Sequence, residues 1–235
     1  MSENEGHDIS DLEHSLGYHF LDKKILMEAI THRSFYHENP GKAAAYNERL
    51  EFLGDSVLGF VVVEFLFLSD RQLTESVMAK TKSYLVKESV LSEIALSLSL
   101  GNYMRLGKGE ASTGGRTKRS LLADAVEAVF GAVYMDGGHE KAREVILRLL
   151  RQKIDATLSS GEFHDFKTDL QEKTQLLFGT IPEYKIIKQE GEEHRKVFTA
   201  EVYIKGEWFG AGLGKSKKEA ETLAAKEAIG KLQQG

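Results

Sequence analysis

The 235-residue sequence contains no cysteine, which excludes disulfides, thiolate metal sites and cysteine nucleophiles and suits a reducing compartment. Proline is almost as scarce: the only two, Pro40 and Pro182, fall in stretches that read as loop or strand lead-in. The longest apolar run, Val57 to Leu68, is interrupted by Glu64 and is too short to span a bilayer. The opening residues, MSENEGHD, lack the apolar core of a secretory signal, so the expectation is a cytoplasmic protein without a membrane partner. The eight histidines do not fall into a zinc spacing, and His32 and His37 read as structural or surface groups. A basic excess is missing as well. Thirty-one Lys and Arg stand against 36 Asp and Glu, a net charge of −5. Composition alone therefore argues mildly against nucleic acid, and any such role has to rest on local arrangement.

What is present is ordinary globular material, 41 % hydrophobic and 29 % charged, at a length that suits one or two domains. The most informative stretch is Asn47 to Leu58, NERLEFLGDSVL. Wound as a helix at about 100° per residue, Glu48, Glu51 and Asp55 share one stripe. Leu50, Phe52, Leu53, Val57, Leu58, Phe60 and Val61 to Val63 cover nearly every other direction, which predicts a buried helix. Acids on such a helix repel one another and lose hydration unless cations or donors compensate. The plainer alternative is that Glu48 and Glu51 lie in an exposed first turn, where acids suit the helix dipole.

In chain order, Ile9 to Leu16 and Lys23 to His32 read as short amphipathic helices, and Asn39-Pro40-Gly41 as a loop. After the acid-bearing helix, about 47–68, one long helix is expected from Leu73 to Leu100, ended by Gly101. Residues 105–120, RLGKGEASTGGRTKRS, read as an exposed basic loop. Ser120 is the expected N-cap of a further helix, Leu121 to Met135, closed by Asp136-Gly137-Gly138. Asp124 and Glu127 stand at i, i+3 on it, among apolar neighbours. Two helices thus each offer a carboxylate pair from apolar surroundings, and a shared acidic site is the better reading. Oxygen-rich sets of this kind suit Mg²⁺ or Mn²⁺. A carboxylate pair could also serve glycoside hydrolysis, but no aromatic-lined sugar cleft accompanies it. A last helix of this half is expected at 139–155.

Beyond Thr157 to Asp165, which reads as a linker, the pattern becomes α-β-β-β-α: helix 166–178, strands 183–189, 197–204 and 207–211, and helix 216–232. Lys205-Gly206 reads as a tight turn. Gly210-Ala-Gly-Leu-Gly214-Lys215-Ser216 invites a phosphate-loop reading, but the required first glycine falls on Phe209 and no βαβ unit surrounds it. Lys215, Lys217 and Lys218 instead cluster at a helix N-terminus, where anions are favoured, and read as phosphate contacts.

With these residues in place, the chain resembles bacterial ribonuclease III over nearly its whole length. ERLEFLGD at 48–55 looks like the family signature, supported by THRS at 31–34, LGKGE at 106–110, TGG at 113–115 and LADAVEA at 122–128. Residues 164–233 are similar to a double-stranded-RNA-binding domain through LQE at 170–172, the second-strand pattern and GKSKKEAE at 214–221. The resemblance implies an all-α endonuclease domain at 8–156, a linker at 157–163 and a small α+β RNA-binding domain at 164–234. It implies a homodimeric, Mg²⁺-dependent endonuclease, with Mn²⁺ able to substitute. Such an enzyme cuts both strands of duplex RNA to 5′-phosphates, 3′-hydroxyls and two-nucleotide 3′ overhangs, and processes ribosomal and other structured RNA precursors.

Carried over by motif position, Glu51, Asp124 and Glu127 would bind the metal, and Asp55 would help position the attacking water. Glu48 and Glu75 match further acids of the family's cleft, and Phe52 matches a residue that plugs into the partner subunit. Gln171 and Gln175 would face one minor groove, His194 the next, and Lys215, Lys217 and Lys218 the intervening phosphates. The sequence departs from the family at Gly191-Glu192-Glu193-His194, where proline usually follows the glycine. The two acids should weaken that loop's RNA contact. Two rivals stay open: a non-cleaving RNA binder that keeps a nuclease fold, and an unrelated acid-site hydrolase whose C-terminal unit makes protein contacts.

Overall fold

Asp8 and Asp22 each start a helix by accepting the backbone N–H two residues on, Ser10 and Lys24, at 2.9 Å. The helices they cap, α1 (Ile9–Leu16) and α2 (Lys23–Ala29), open a helical unit spanning residues 1–163. In the computed structural model residues 8–69, 73–160, 166–192 and 196–232 are described. The turn between α1 and α2 is held by two carboxylates. Buried Glu13 accepts Phe20 N–H at 2.9 Å and lies 3.1 Å from Lys23 Nζ. Asp136 accepts the Tyr18 hydroxyl at 2.7 Å and the N–H groups of Leu21 and Asp22 at 2.8 and 2.9 Å.

The unit is built on α4 (Glu48–Leu68) packed along α9 (Arg119–Ser160), with α2 and α6 (Glu88–Ser97) also against α9. α9 is two helical stretches in series, broken at Gly138, whose φ of 77° lies in the left-handed region. It continues through Ser160, so residues 157–160 of the expected linker are helical, and Thr157 is buried. Where α4 crosses α9, the helices meet backbone to backbone. A Cβ on Gly54 would collide with the Glu127 carbonyl, and one on Gly131 with the Leu50 carbonyl.

Three expectations need correction. The single helix expected over 73–100 is two, α5 (Glu75–Leu85) and α6 (Glu88–Ser97), and a short α7 (Leu100–Tyr103) runs past its expected end through Gly101. Lys87 is extended and Ser99 has φ 52° at the breaks, which let α6 turn onto α9; neither break carries glycine or proline. Residues 105–120 are not an exposed loop: they hold α8 (Lys108–Ser112) and a 3₁₀ turn (Gly115–Thr117), with Leu106 and Gly115 buried. The Arg116 guanidinium ties this segment down, donating to the carbonyls of Gly101 at 2.7 Å and Met104 at 2.9 Å. Ser120 is not the N-cap of α9, because the helix already includes Arg119. A short helix that the pattern did not suggest, α3 (Arg33–Glu38), precedes α4.

The second unit, residues 164–235, has α10 (Phe166–Phe178), an antiparallel sheet in the order β1 (Glu183–Glu190), β2 (Val197–Ile204), β3 (Glu207–Gly214), then α11 (Lys217–Leu232). β2 and β3 turn at Lys205 and Gly206, both with positive φ, as a two-residue hairpin requires. β3 runs to Gly214, past the expected end at 211. Gly210, Gly212 and Gly214 line its inner face, and any Cβ there would strike the backbone of α11 around Ala220, Ala224 and Ala228. Those glycines exist for close packing of a helix on a strand, which is why they resemble a phosphate loop without being one.

Candidate active site

The first turn of α4 is anchored before any acid is placed. Asn47 is buried; its N–H donates to the Thr31 carbonyl at 2.9 Å, and its carbonyl accepts Glu51 N–H at 2.8 Å. Thr31 and Arg105 form a parallel bridge, and Arg105 also donates to the Thr31 hydroxyl at 3.3 Å and the Lys42 carbonyl at 2.8 Å. Ser34 Oγ accepts Gly107 N–H at 2.8 Å, and Glu38 accepts Lys108 N–H at 2.7 Å. The THRS and LGKGE segments are thereby stitched to each other beside α4.

From that frame, Glu51 of α4 meets Asp124 and Glu127 of α9. One carboxylate oxygen from each lies within 4.8 Å of the others, and all three groups are half-buried. Burial and mutual repulsion disfavour their charged forms. Burial, then the charges of Asp55, Glu51 and Asp124, pushes Glu127 up to about 8. Glu51 is raised by burial and by Asp124, Glu48 and Asp55; Asp124 by burial and Glu88, against His32 and Lys118. Nothing within the cluster neutralises it. A divalent cation would, and an all-oxygen donor set of three carboxylates fits Mg²⁺ or Mn²⁺.

The remaining sequence-predicted acids sit at different distances from this trio. Asp55 is exposed one turn along α4, close enough for its charge to act on Glu51 and Glu127. Glu48 is partly exposed and paired with Arg33 at 3.4 Å. Glu75 lies in the exposed first turn of α5 and is not among the charges acting on the trio. Glu88, which was not singled out, and His32, read above as a structural or surface group, both act on Asp124; neither stands out by periodicity, because one opens α6 and the other caps α3. Glu110, within the LGKGE motif, acts on His32 and lies 3.6 Å from Lys118.

Phe52 is 80 % exposed, so the prediction of an all-round buried α4 fails on one side. Phe60, Val63 and Phe67 continue the exposed stripe, about one helical turn apart. In the second unit, Gln171 and Gln175 are exposed one turn apart on α10. Lys215, Lys217 and Lys218 are exposed around the start of α11, where Ser216 accepts Glu219 N–H at 3.1 Å and Glu219 accepts Lys215 N–H at 2.6 Å. His194 lies outside the described residues.

Residues 22–154 match the family profile described as Ribonuclease-III-like, and residues 166–232 match the double-stranded RNA binding motif. This chain belongs to the ribonuclease III family. Curated relatives named Ribonuclease 3 include those of Caldanaerobacter subterraneus, 44 % identical over 94 % of this chain and 96 % of that protein, and Natranaerobius thermophilus, 45 % identical over 96 % of both. A solved nuclease domain of ribonuclease III from Campylobacter jejuni, described as structurally flexible in a region involved in dimer formation, is 42 % identical, with a TM-score of 0.57. The match covers 62 % of this chain and 97 % of that one. As a ribonuclease III the protein is a hydrolytic endoribonuclease acting on double-stranded RNA. Among the described residues, no helix is long and apolar enough to cross a membrane.

Proposed function

We propose that this ribonuclease III is a Mg²⁺-dependent homodimer that cuts both strands of duplex RNA in the cytoplasm. Its products carry 5′-phosphates, 3′-hydroxyls and two-nucleotide 3′ overhangs, and its substrates are ribosomal and other structured precursors. The observation that carries this reading is the meeting of Glu51, Asp124 and Glu127 from α4 and α9 within 4.8 Å. Those three would hold the cation, for which Mn²⁺ could substitute. A divalent ion bound there supplies charge neutralisation for attack on a phosphodiester that otherwise repels nucleophiles. Asp55, exposed beside the trio, accepts a hydrogen bond from the attacking water and aligns it with the phosphorus. Glu48 and Glu75 serve as accessory acids of the cleft.

The dimer reading rests on Phe52 and the stripe behind it. A groove lined by Ile25, Glu28, Leu50, Leu53 and Met135 opens beside Phe52 and could receive the same residue of a second copy. The dimer-forming region of the Campylobacter nuclease domain supports the same reading. The second unit supplies affinity: Gln171, Gln175 and His194 for the minor grooves and Lys215, Lys217 and Lys218 for phosphates. Labelled duplex RNA with Mg²⁺ is the deciding assay. Wild type should cut, and Glu127→Gln and Asp55→Asn should be at least about 100-fold slower, consistent with loss of a metal ligand or a water-aligning group. Equal cutting by wild type and Glu127→Gln would falsify the site, and no cutting by wild type would favour a pure RNA binder.

A further inference from the structure

Glu48, Asp55 and Glu88 add further negative charge to the Glu51–Asp124–Glu127 trio, and a strand of RNA brings one more charge with every phosphate. Neutralising the attacked phosphate leaves its neighbours along the strand facing carboxylates. Among the described residues, two cations are ion-paired to acids at the edge of this centre. Arg33 Nη1 lies 3.4 Å from Glu48 Oε1, and Glu48 precedes Glu51 by about one turn of α4. Lys118 Nζ lies 3.6 Å from Glu110 Oε1. The Lys118 carbonyl accepts Leu122 N–H at 3.0 Å, so this lysine stands at the head of α9, less than two turns before Asp124. Each helix that supplies the trio therefore has a cation beside its N-terminal end. The two side chains are 65 % and 56 % exposed, and neither makes another side-chain hydrogen bond or ion pair among the described residues. Ion pairs this exposed add little to stability, so holding the fold together does not account for them.

We propose that Arg33 and Lys118 are substrate-binding residues that hold the phosphates flanking the scissile one, one from beside α4 and one from the head of α9. A guanidinium has five N–H donors and an ammonium three, so each can keep its carboxylate and take a phosphate oxygen as well. Arg33 has a rigid mount for this: α3 is tied to the 107–108 segment through Ser34 and Glu38. The proposal rests on the nuclease reading above.

Single-turnover cleavage of duplex RNA by the full chain, at saturating Mg²⁺ and several KCl concentrations, separates the half-saturating enzyme concentration from the maximal rate. Arg33→Gln and Lys118→Gln should each raise that concentration about 5–20-fold, keep the maximal rate within about twofold, and lower the salt slope by about one counterion. Arg33→Lys keeps the charge and should keep the wild-type slope. Arg151→Gln is the control. Arg151 is as exposed, at 66 %, and is paired to Asp155 at 2.8 Å far along α9, so its loss should leave the slope alone. An unchanged slope for either variant overturns the role of that residue, and a slope lowered as much by Arg151→Gln overturns both. An Arg33→Gln effect confined to the maximal rate, or absent in a Glu48→Gln background, overturns the role too, because Arg33 would then only steady its carboxylate. A wild-type protein that binds duplex RNA but never cuts it defeats the nuclease reading itself, a result distinct from an unchanged slope in an enzyme that cuts.

Discussion

Glu127 illustrates how a single group is tuned by where it is held. Its folded pKa of about 8 stands above an ordinary glutamate's 4.5, so between those values the folded, metal-free protein binds more protons than the unfolded chain. Stability contributed by this group is full below about pH 4.5 and declines as pH rises through 8. Glu127→Gln removes that cost. The group is only half-buried, so solvent screening leaves about 1–2 kcal/mol of it, or a few degrees. Metal-free Glu127→Gln should therefore melt higher than wild type at pH 8.5, with the gap closing towards pH 4.5; scanning calorimetry across that range checks it. The same logic makes cation binding release a proton below about pH 8, tighten as pH rises towards 8 and level off above it. At this scale the sequence was generous. The carboxylates announce themselves by spacing on apolar helices, whereas His32 and Glu88 do not, because they act on Asp124 only through the approach of elements distant in the chain.

At the scale of elements, the crossing of α4 over α9 decides where the acids stand. Gly54→Ala would drive a methyl group into the Glu127 carbonyl, and backbone cannot step aside as a side chain can. A loss of about 1–3 kcal/mol or more is expected, read as a shifted urea midpoint, with cleavage falling further than stability explains because Glu127 itself is displaced. Gly54, three residues after Glu51, and Gly131, four after Glu127, were invisible as a signal: a glycine inside a helical pattern usually just lowers its odds. The strands and helices of the second unit were legible to within a residue except at the end of β3, which runs three residues further, since period-two alternation and the Lys205-Gly206 turn are local. The breaks at Lys87 and Ser99 were not, because packing against α9, not any breaker residue, sets them. The stitched 105–120 segment was misread for a related reason: its glycines and cations look like loop, and its order comes from Arg116, Ser34 and Glu38.

For the whole molecule, two charges of opposite consequence share one chain: an acidic centre in the first unit and exposed cations at the start of α11 in the second. Replacing Lys217 and Lys218 together with alanine should flatten the dependence of duplex-RNA affinity on salt by about two counterions, measured by binding at several KCl concentrations. An unchanged slope would put the phosphate contacts elsewhere. Association is tested on the stripe. Phe60→Glu with Phe67→Glu places charges on a face already open to water, so it should spare the fold, yet sedimentation should show a monomer where wild type shows a dimer. A dimer from the double variant would mean another surface pairs the copies. The crossing at Gly54 and Gly131 has one more consequence. Main chain against main chain works as a fixed gauge for the gap between Glu51 and Glu127. Thinning the apolar filling elsewhere, for instance Ile146→Val, should let the protein melt sooner while each surviving folded molecule keeps its cutting speed.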